Sequence, residues 1–211
     1  MIPGLGYFKR AILRVPAFRQ LHRARRVRQL RAQMEVAQPL NVVLGAGTTD
    51  YPGWFGTHLE TLDITSPRDW ENLFAPDSID RLLTEHVLEH LSETECEVAL
   101  AECFHYLKTG GLLRIAVPDG YRRDAAYVEE ASPPRDGHQV LFTVDTLVTL
   151  LERVGFRAVP LEYFDAQEEF HAQPWNEADG FIKRSVRFDT QEDFKRGDLF
   201  YTSLIVDARK I

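Results

Sequence analysis

Cysteine and methionine are scarce in this sequence, which contains two of each among 211 residues. Cys96 and Cys103 are seven residues apart in a helical pattern, a spacing that suits neither a disulfide framework nor a structural zinc site. We therefore interpret both thiols as core residues and expect a reducing compartment. The sequence also has no secretory hydrophobic segment and no apolar run long enough to span a bilayer, so we predict a cytoplasmic protein.

Net positive charge is confined to the first 38 residues. The formal net charge is −7, although residues 1–38 contain nine lysine and arginine residues against a single acid. The remainder is strongly acidic, which argues against nucleic acid as a partner. Hydrophobic residues make up 44% of the chain, enough for the core of one domain with a small appendage. We therefore divide the chain into a basic arm, residues 1–38, and a domain, residues 39–211.

The arm is predicted to contain a basic amphipathic helix at residues 8–34. Apolar residues recur there at near-helical spacing and arginines fill the gaps, with an interruption expected at Pro16. Such a segment can pack on the edge of the domain, bind an anionic membrane surface or a partner protein, or act as a targeting peptide. The membrane alternative would place the protein at the inner face of the membrane.

Short apolar segments alternate with helical patterns through the rest of the chain. Their order predicts an α/β fold: a Rossmann-like, mostly parallel sheet with helices on both faces and an antiparallel C-terminal strand. The fold is shortened after its first strand, because residues 49–54 are too rich in turn formers for a long helix. We predict strands at residues 40–44, 55–60, 61–64, 79–83, 112–117, 158–164 and 199–208, helices at residues 66–74, 93–108 and 144–154, and an irregular polar segment at residues 166–197.

Two strand ends carry the residues best suited to binding. The first strand turns through Gly45-Ala46-Gly47-Thr48, and the strand that ends at Leu83 continues as Thr84-Glu85-His86. Ligands of open α/β sheets bind beyond the carboxyl ends of the strands, and glycine allows the backbone to approach a ligand closely. We therefore expect the chemistry to take place between these two strand ends.

Seven segments form an ordered set: Val42–Gly47, Pro52–Trp54, Thr84–Leu91, Leu107–Gly111, Ile115–Gly120, Asp179–Ile182 and Tyr201–Asp207. This set resembles a bacterial group of predicted class I S-adenosylmethionine-dependent methyltransferases, and the likeness covers residues 40–208. The resemblance implies S-adenosylmethionine as the cofactor. It also implies methylation, most simply at oxygen, of a small-molecule or glycan acceptor.

The resemblance further implies where each part of the cofactor binds. Backbone amides of residues 45–48 would bind its carboxylate. His58 stands where the family usually has an aspartate for the ribose, and Glu60 is the alternative partner. Asp63 and Ile64 would contact adenine, although Asp63 can instead form a plain helix-entry turn. Thr84 and Glu85 would lie near the methionine moiety, with structural support of their loop as the alternative.

A base is needed only if the acceptor must lose a proton at neutral pH. The candidates are His86, His90, Asp119 and His138, each of which can instead have a structural role. Asp119 follows the strand near which acceptors enter in this fold, and His138 precedes an apolar segment after a loop. The sugar- and amide-binding side chains of residues 170–176, together with Arg184, are expected to cover the acceptor.

Residues 86–90 also spell His-x-x-Glu-His, a pattern of zinc peptidases. That interpretation needs one continuous helix to place both histidines on one face, and a third ligand. Here the segment follows a strand directly, and Ser92 begins a new helix. We therefore expect no metal site.

Two other functions are weighed against methyl transfer. The missing ribose acid is compatible with a non-catalytic module that keeps the fold for binding or scaffolding. A nicotinamide oxidoreductase is less compatible, because the glycine turn lacks the third glycine and the helix that a pyrophosphate requires.

Overall fold

The computed structural model of the protein describes residues 16–189 and 203–211. Seven strands and six helices, numbered in chain order, make up the described part, with single turns of 3-10 helix at Leu88–His90, Arg135–Gly137 and Glu177–Asp179. The strands are β1 Asn41–Leu44, β2 Phe55–Gly56, β3 Ile79–Glu85, β4 Leu107–Val117, β5 Arg157–Phe164, β6 Phe170–Ala172 and β7 Leu204–Arg209. The helices are α1 Pro16–Met34, α2 Pro67–Leu73, α3 Glu93–Tyr106, α4 Ala125–Ala131, α5 Val144–Val154 and α6 Val186–Asp189.

All seven strands form one sheet in the order β2-β1-β3-β4-β7-β5-β6. Strands β2, β1, β3 and β4 are parallel neighbours, whereas β7 is antiparallel to both β4 and β5. Strand β5 therefore runs in the same direction as the first four, and β6 pairs with it as an antiparallel edge. The prediction of a mostly parallel α/β sheet with an antiparallel C-terminal strand is confirmed.

Local signals account for most helix boundaries. Ser92 and Glu95 form a complete capping box at the start of α3. Helix α5 has the predicted bounds, and it ends at Gly155, whose φ of 116° is left-handed. The fold is shortened after β1 as predicted, since residues 45–54 form turns and no helix.

Some boundaries differ from the prediction. Residues 61–64 form no strand, because the chain turns at residues 59–61. In this turn the Thr61 hydroxyl donates a hydrogen bond to the His58 carbonyl (2.9 Å). Helix α3 ends at Tyr106, since Leu107 already pairs with Ile79 in the sheet. The last strand is described from Leu204, and residues 190–202 of the prediction lie outside the described part.

The two faces of the sheet are covered differently. Alternate strand residues point into a large core shared with α1, α2, α3 and α5. The residues between them form a smaller cluster that the loop side chains of Tyr51, Trp54 and Trp175 complete. On this second face the buried Arg114 donates to the carbonyl oxygens of Asn176 (2.7 Å) and Gly180 (2.6 Å), which fixes the loop against β4.

Helix α1 packs on the domain through Val27, Leu30 and Met34, all of which contact the large core. Arg23 forms an ion pair with the buried Asp69 of α2. This part of the arm therefore lies against the domain edge. Residues 1–15 are outside the described part, and no helix of the described residues is long and apolar enough to cross a bilayer.

Candidate cofactor and acceptor site

A cavity of about 340 Å³ lies beyond the carboxyl ends of β1 and β3. We call it the first cavity. Its lining includes the glycine turn after β1 and the end of β3, as the strand-end rule predicts. Residues 43–46, 48, 49, 83, 85, 86, 183 and 184 form this lining.

The glycine turn depends on close packing with the segment that follows β3. Gly45 has a left-handed φ of 62°, and a Cβ atom on it would lie 2.7 Å from Cγ2 of Val87. Within the turn, the Ala46 amide donates to the Thr57 carbonyl (2.8 Å) and the Thr49 amide to the Ala46 carbonyl (2.7 Å). The amide of Ala46 is therefore engaged in the fold, and its contribution to the first cavity is a small side chain.

Glu85 joins two distant segments at the wall of the first cavity. Its carboxylate accepts the backbone amides of Arg184 (2.9 Å) and Lys183 (3.3 Å). Tyr51 lies near this carboxylate, and burial together with the negative charge of Glu85 raises the pKa of Tyr51 to about 12. Lys183 and Arg184 thereby line the cavity. Sequence reasoning missed Lys183, because only this contact places it there.

The two residues expected at the ribose lie beyond the first cavity. His58 is exposed, and its backbone carbonyl and amide bond with Thr61. Glu60 extends away from the strand ends toward α1, where its carboxylate lies 3.5 Å from Arg26. Neither side chain lines the cavity described above.

Asp63 and Ile64 take part in a local turn. The Asp63 carboxylate oxygen Oδ1 accepts both the amide (3.0 Å) and the hydroxyl (2.7 Å) of Thr65. The buried Ile64 offers its carbonyl to the indole N–H of Trp70 at 3.0 Å. These bonds hold Asp63 in a turn just before α2, and neither Asp63 nor Ile64 lines the first cavity.

Thr84 lies on β3 in the interior of the sheet. It is 1% exposed, and its hydroxyl has no hydrogen-bond partner among residues 16–189 and 203–211. It does not line the first cavity.

His86 stands between the first cavity and a second cavity of about 520 Å³. Its φ of 55° turns the chain out of β3, and its Nε2 lies 2.9 Å from the Ser203 hydroxyl. Its Nδ1 lies 2.9 Å from Oε1 of the buried Glu89. Ser203 is 1% exposed, so this serine, histidine and glutamate cannot present a nucleophile to a substrate.

The second cavity brings together three of the four candidate bases. His86, His90 and His138 all line it, and the rings of His90 and His138 meet edge to face with centroids 4.9 Å apart. Glu89 lies in the same lining, as do Glu130 and Asp136. Sequence reasoning placed the histidines at two separate positions, and only the tertiary structure joins them.

Of the four candidate bases, Asp119 is the one that does not line the second cavity. It is fully buried, and its carboxylate accepts the amides of Tyr121 (3.0 Å) and Phe164 (2.7 Å). Burial raises the pKa of Asp119 to about 6, although the two amides oppose the shift. It lines neither cavity, and its bonds describe a residue that joins β4 to β5.

The sequence matches no known family profile and no curated protein. Three solved structures of S-adenosylmethionine-dependent methyltransferases resemble the chain. The Thermotoga maritima protein has a TM-score of 0.52 at 15% identity, with 98% of this chain and 96% of that one covered. The Archaeoglobus fulgidus protein has a TM-score of 0.49 at 16% identity, with 91% and 94% covered. The Mesorhizobium loti protein has a TM-score of 0.47 at 16% identity, with 86% and 95% covered. The likeness to the Thermotoga protein shows that this chain has the fold of the class I methyltransferases.

Proposed function

We propose that the protein is an S-adenosylmethionine-dependent methyltransferase that modifies an oxygen atom of a small-molecule or glycan acceptor. One observation carries the proposal. The glycine turn after β1 and the Glu85–His86 end of β3 share one cavity, in a fold that methyltransferases have. Strand ends of this kind are where open α/β sheets bind their ligands.

The chemistry of the first cavity suits the amino-acid end of the cofactor. The side chains of Lys183 and Arg184 would attract its carboxylate, and the carboxylate of Glu85 would attract its ammonium group. Gly45 also lines this cavity, and its left-handed φ of 62° is one that residues with a side chain rarely adopt. We assign these four residues to the methionine moiety of S-adenosylmethionine.

When bound, the cofactor supplies a methyl group on a positively charged sulfur. The chain's own task is then to align the acceptor and exclude water. His86 borders both cavities, and because its ring nitrogens face Ser203 and Glu89 it would position an acceptor by contact. His90 and His138 would contact the acceptor from the other side of the second cavity.

A second candidate is a binding or scaffolding module without turnover. The position of Glu60 favours it, because this acid faces Arg26 and leaves the exposed His58 as the nearest substitute for a ribose acid. A histidine in place of the ribose acid would weaken, but not abolish, the binding of a cofactor that is held mainly by its methionine end. Turnover separates the two candidates.

Calorimetric titration with S-adenosylmethionine and S-adenosylhomocysteine tests the cofactor site. We expect micromolar binding that Thr48→Arg abolishes, since Thr48 is exposed and lines the first cavity. Thr109→Arg is the matched control, because Thr109 is equally exposed at the opposite end of the sheet. Absence of binding at millimolar cofactor by the folded wild type would refute the cofactor assignment.

An acceptor screen with radiolabelled cofactor tests the reaction. We expect methylation of a hydroxyl-bearing acceptor, with sugars as the first class to examine. A protein that binds the cofactor but methylates none of the acceptors would support the scaffolding candidate. Methylation of amine-bearing acceptors alone would retain the enzyme and refute the oxygen specificity.

We also propose that the basic segment of the arm, residues 8–34, binds an anionic membrane surface or an acidic partner protein. Arg23, Arg28, Arg31 and Arg68 line a groove between α1 and α2, which supports an anionic ligand there. Sedimentation with vesicles of anionic phospholipid would reveal membrane binding, and Arg25→Ala/Arg28→Ala should reduce it. Arg153→Ala/Arg157→Ala on other elements is the control. Equal reduction by both double variants would argue for non-specific attraction.

A further inference from the structure

Three side chains with metal-binding atoms converge in the second cavity. The ligand atoms of Glu89, His90 and His138 all lie within 4.8 Å of one another. Ligands bound about 2.1 Å from one ion are themselves about 3–4 Å apart, so small side-chain rotations would complete the arrangement. Glu89 is buried, His138 is half-buried and His90 is exposed, which leaves one side of the group open to the cavity.

Glu89 supplies an independent reason to expect a cation. It is 1% exposed, and neither of its carboxylate oxygens accepts a hydrogen bond from any described residue. A buried carboxylate to which no N–H or O–H group donates is disfavoured, and bound cations are a common form of compensation. Nδ1 of His86 lies 2.9 Å from Oε1 of Glu89, so this imidazole faces the same carboxylate.

The backbone holds the two ligand segments together. The Glu89 carbonyl accepts the amides of Gln139 (2.7 Å) and Val140 (3.3 Å), and the Gln139 side chain donates to the His90 carbonyl (2.7 Å). These bonds tie residues 138–140 to residues 89–90, although the two segments are about fifty positions apart in the sequence. The relative position of the ligands is therefore a property of the folded chain.

His138 has the orientation of a typical metal ligand. Its Nδ1 lies 2.8 Å from the Ala131 carbonyl, which can only accept, so Nδ1 carries the proton and Nε2 keeps its lone pair. Ligating histidines usually donate their other ring N–H to a carbonyl or carboxylate in this way. The bond thus fixes the tautomer that metal binding requires.

We propose that Glu89, His90 and His138 bind a divalent ion of the zinc and cobalt class. One carboxylate and two imidazoles suit these ions better than Mg²⁺ or Ca²⁺, which prefer oxygen ligands. The site differs from the peptidase pattern in residues 86–90, because no continuous helix is present and the third ligand comes from His138. Our expectation of no metal site rested on the absence of that continuous helix.

The position of the ion would give it a role in catalysis. His86 and Arg184 line both cavities, so an ion held by the three ligands would lie next to the first cavity. Its open coordination positions would bind an oxygen of the acceptor and lower the pKa of an acceptor hydroxyl. This role rests on the proposed methyltransferase function, whereas the binding of the ion does not.

Metal titration of the untagged full-length protein, freed of metal with a chelator, tests the site. We expect one Zn²⁺ to bind with a micromolar or lower Kd by calorimetry, and Co²⁺ to give the visible absorption bands of a protein-bound ion. His90→Ala, His138→Ala and Glu89→Gln should each weaken Zn²⁺ binding at least tenfold. His105→Ala, which removes an exposed histidine of α3, should leave it unchanged.

His90 decides the outcome if other variants fold poorly, because its side chain is exposed and its loss leaves the core intact. Zinc binding that survives both His90→Ala and His138→Ala, or no binding at all by the wild type, would overturn the proposal. If the wild type binds no zinc, the imidazole of His86 would be the group that compensates the buried charge of Glu89. Titration of the same preparations with S-adenosylhomocysteine separates this failure from a failure of the cofactor site.

Discussion

Gly45 packs directly beneath Val87: a Cβ atom on Gly45 would lie 2.7 Å from Cγ2 of that valine. The glycine turn after β1 and the segment that follows β3 are therefore in contact. Because one segment borders the first cavity and the other leads to Glu89 and His90, the two halves of the site share this packing.

Gly45→Ala should lower the free energy of unfolding by about 2–4 kcal/mol, since it adds both a left-handed backbone strain and an overpacked contact. Gly53→Ala is the control: its φ is 81°, but nothing lies within 4 Å of the added Cβ, so only the backbone term of about 1–2 kcal/mol applies. Urea denaturation measures both. Val87→Ala in the Gly45→Ala background should recover at least about 1 kcal/mol, and additive effects would contradict the contact.

Arg114→Met should destabilise the protein by about 3–5 kcal/mol, because it leaves the carboxylate of Asp207 without its partner. The pair is buried and bidentate, with distances of 2.7 and 2.9 Å. Arg153→Ala breaks the exposed pair with Glu97 and should change the stability by less than about 1 kcal/mol. Equal effects of the two substitutions on urea denaturation would show that Arg114 has no special structural role.

The pH dependence of stability should report the proton binding of the buried Asp119 carboxyl group. Burial raises the pKa of Asp119 from 3.8 to about 6 in the folded protein, so the native state binds the proton more tightly than the unfolded chain. The contribution of this group is greatest below pH 4 and is lost as the pH rises from about 4 to 6, by up to about 3 kcal/mol. Asp119→Asn should remove this fall. Urea denaturation of both proteins between pH 4 and 7 measures the difference, and parallel profiles would contradict it.

Both thiols should be unreactive in the native protein. Cys96 and Cys103 are buried in α3, and burial raises the pKa of Cys96 to about 12 and raises that of Cys103 as well. A thiol reagent at pH 8 needs the thiolate, so we expect labelling of two thiols in denaturant and none in the folded state. Rapid labelling of the native protein would show that α3 opens locally.

Short-range patterns predicted much of the fold. The capping box of Ser92 and Glu95 and the left-handed Gly155 define helix ends through contacts within a few residues. Strands β1, β3 and β4 could be predicted from their short apolar runs, because parallel strands that are buried on both faces consist largely of apolar residues. Residues 61–64 were misassigned, since their apolar side chains are buried without pairing in the sheet.

The sequence by itself determined the strand ends of the candidate site: a glycine turn at Gly45 and the pair Glu85–His86 follow from the local pattern and the rule for parallel sheets. The tertiary structure alone decided that Glu85 accepts the amide of Arg184, that Glu60 turns toward Arg26, and that His138 lies beside Glu89 and His90. These contacts join residues far apart in the chain. They depend on the paths of loops, which packing of the whole domain fixes and which periodicity does not encode.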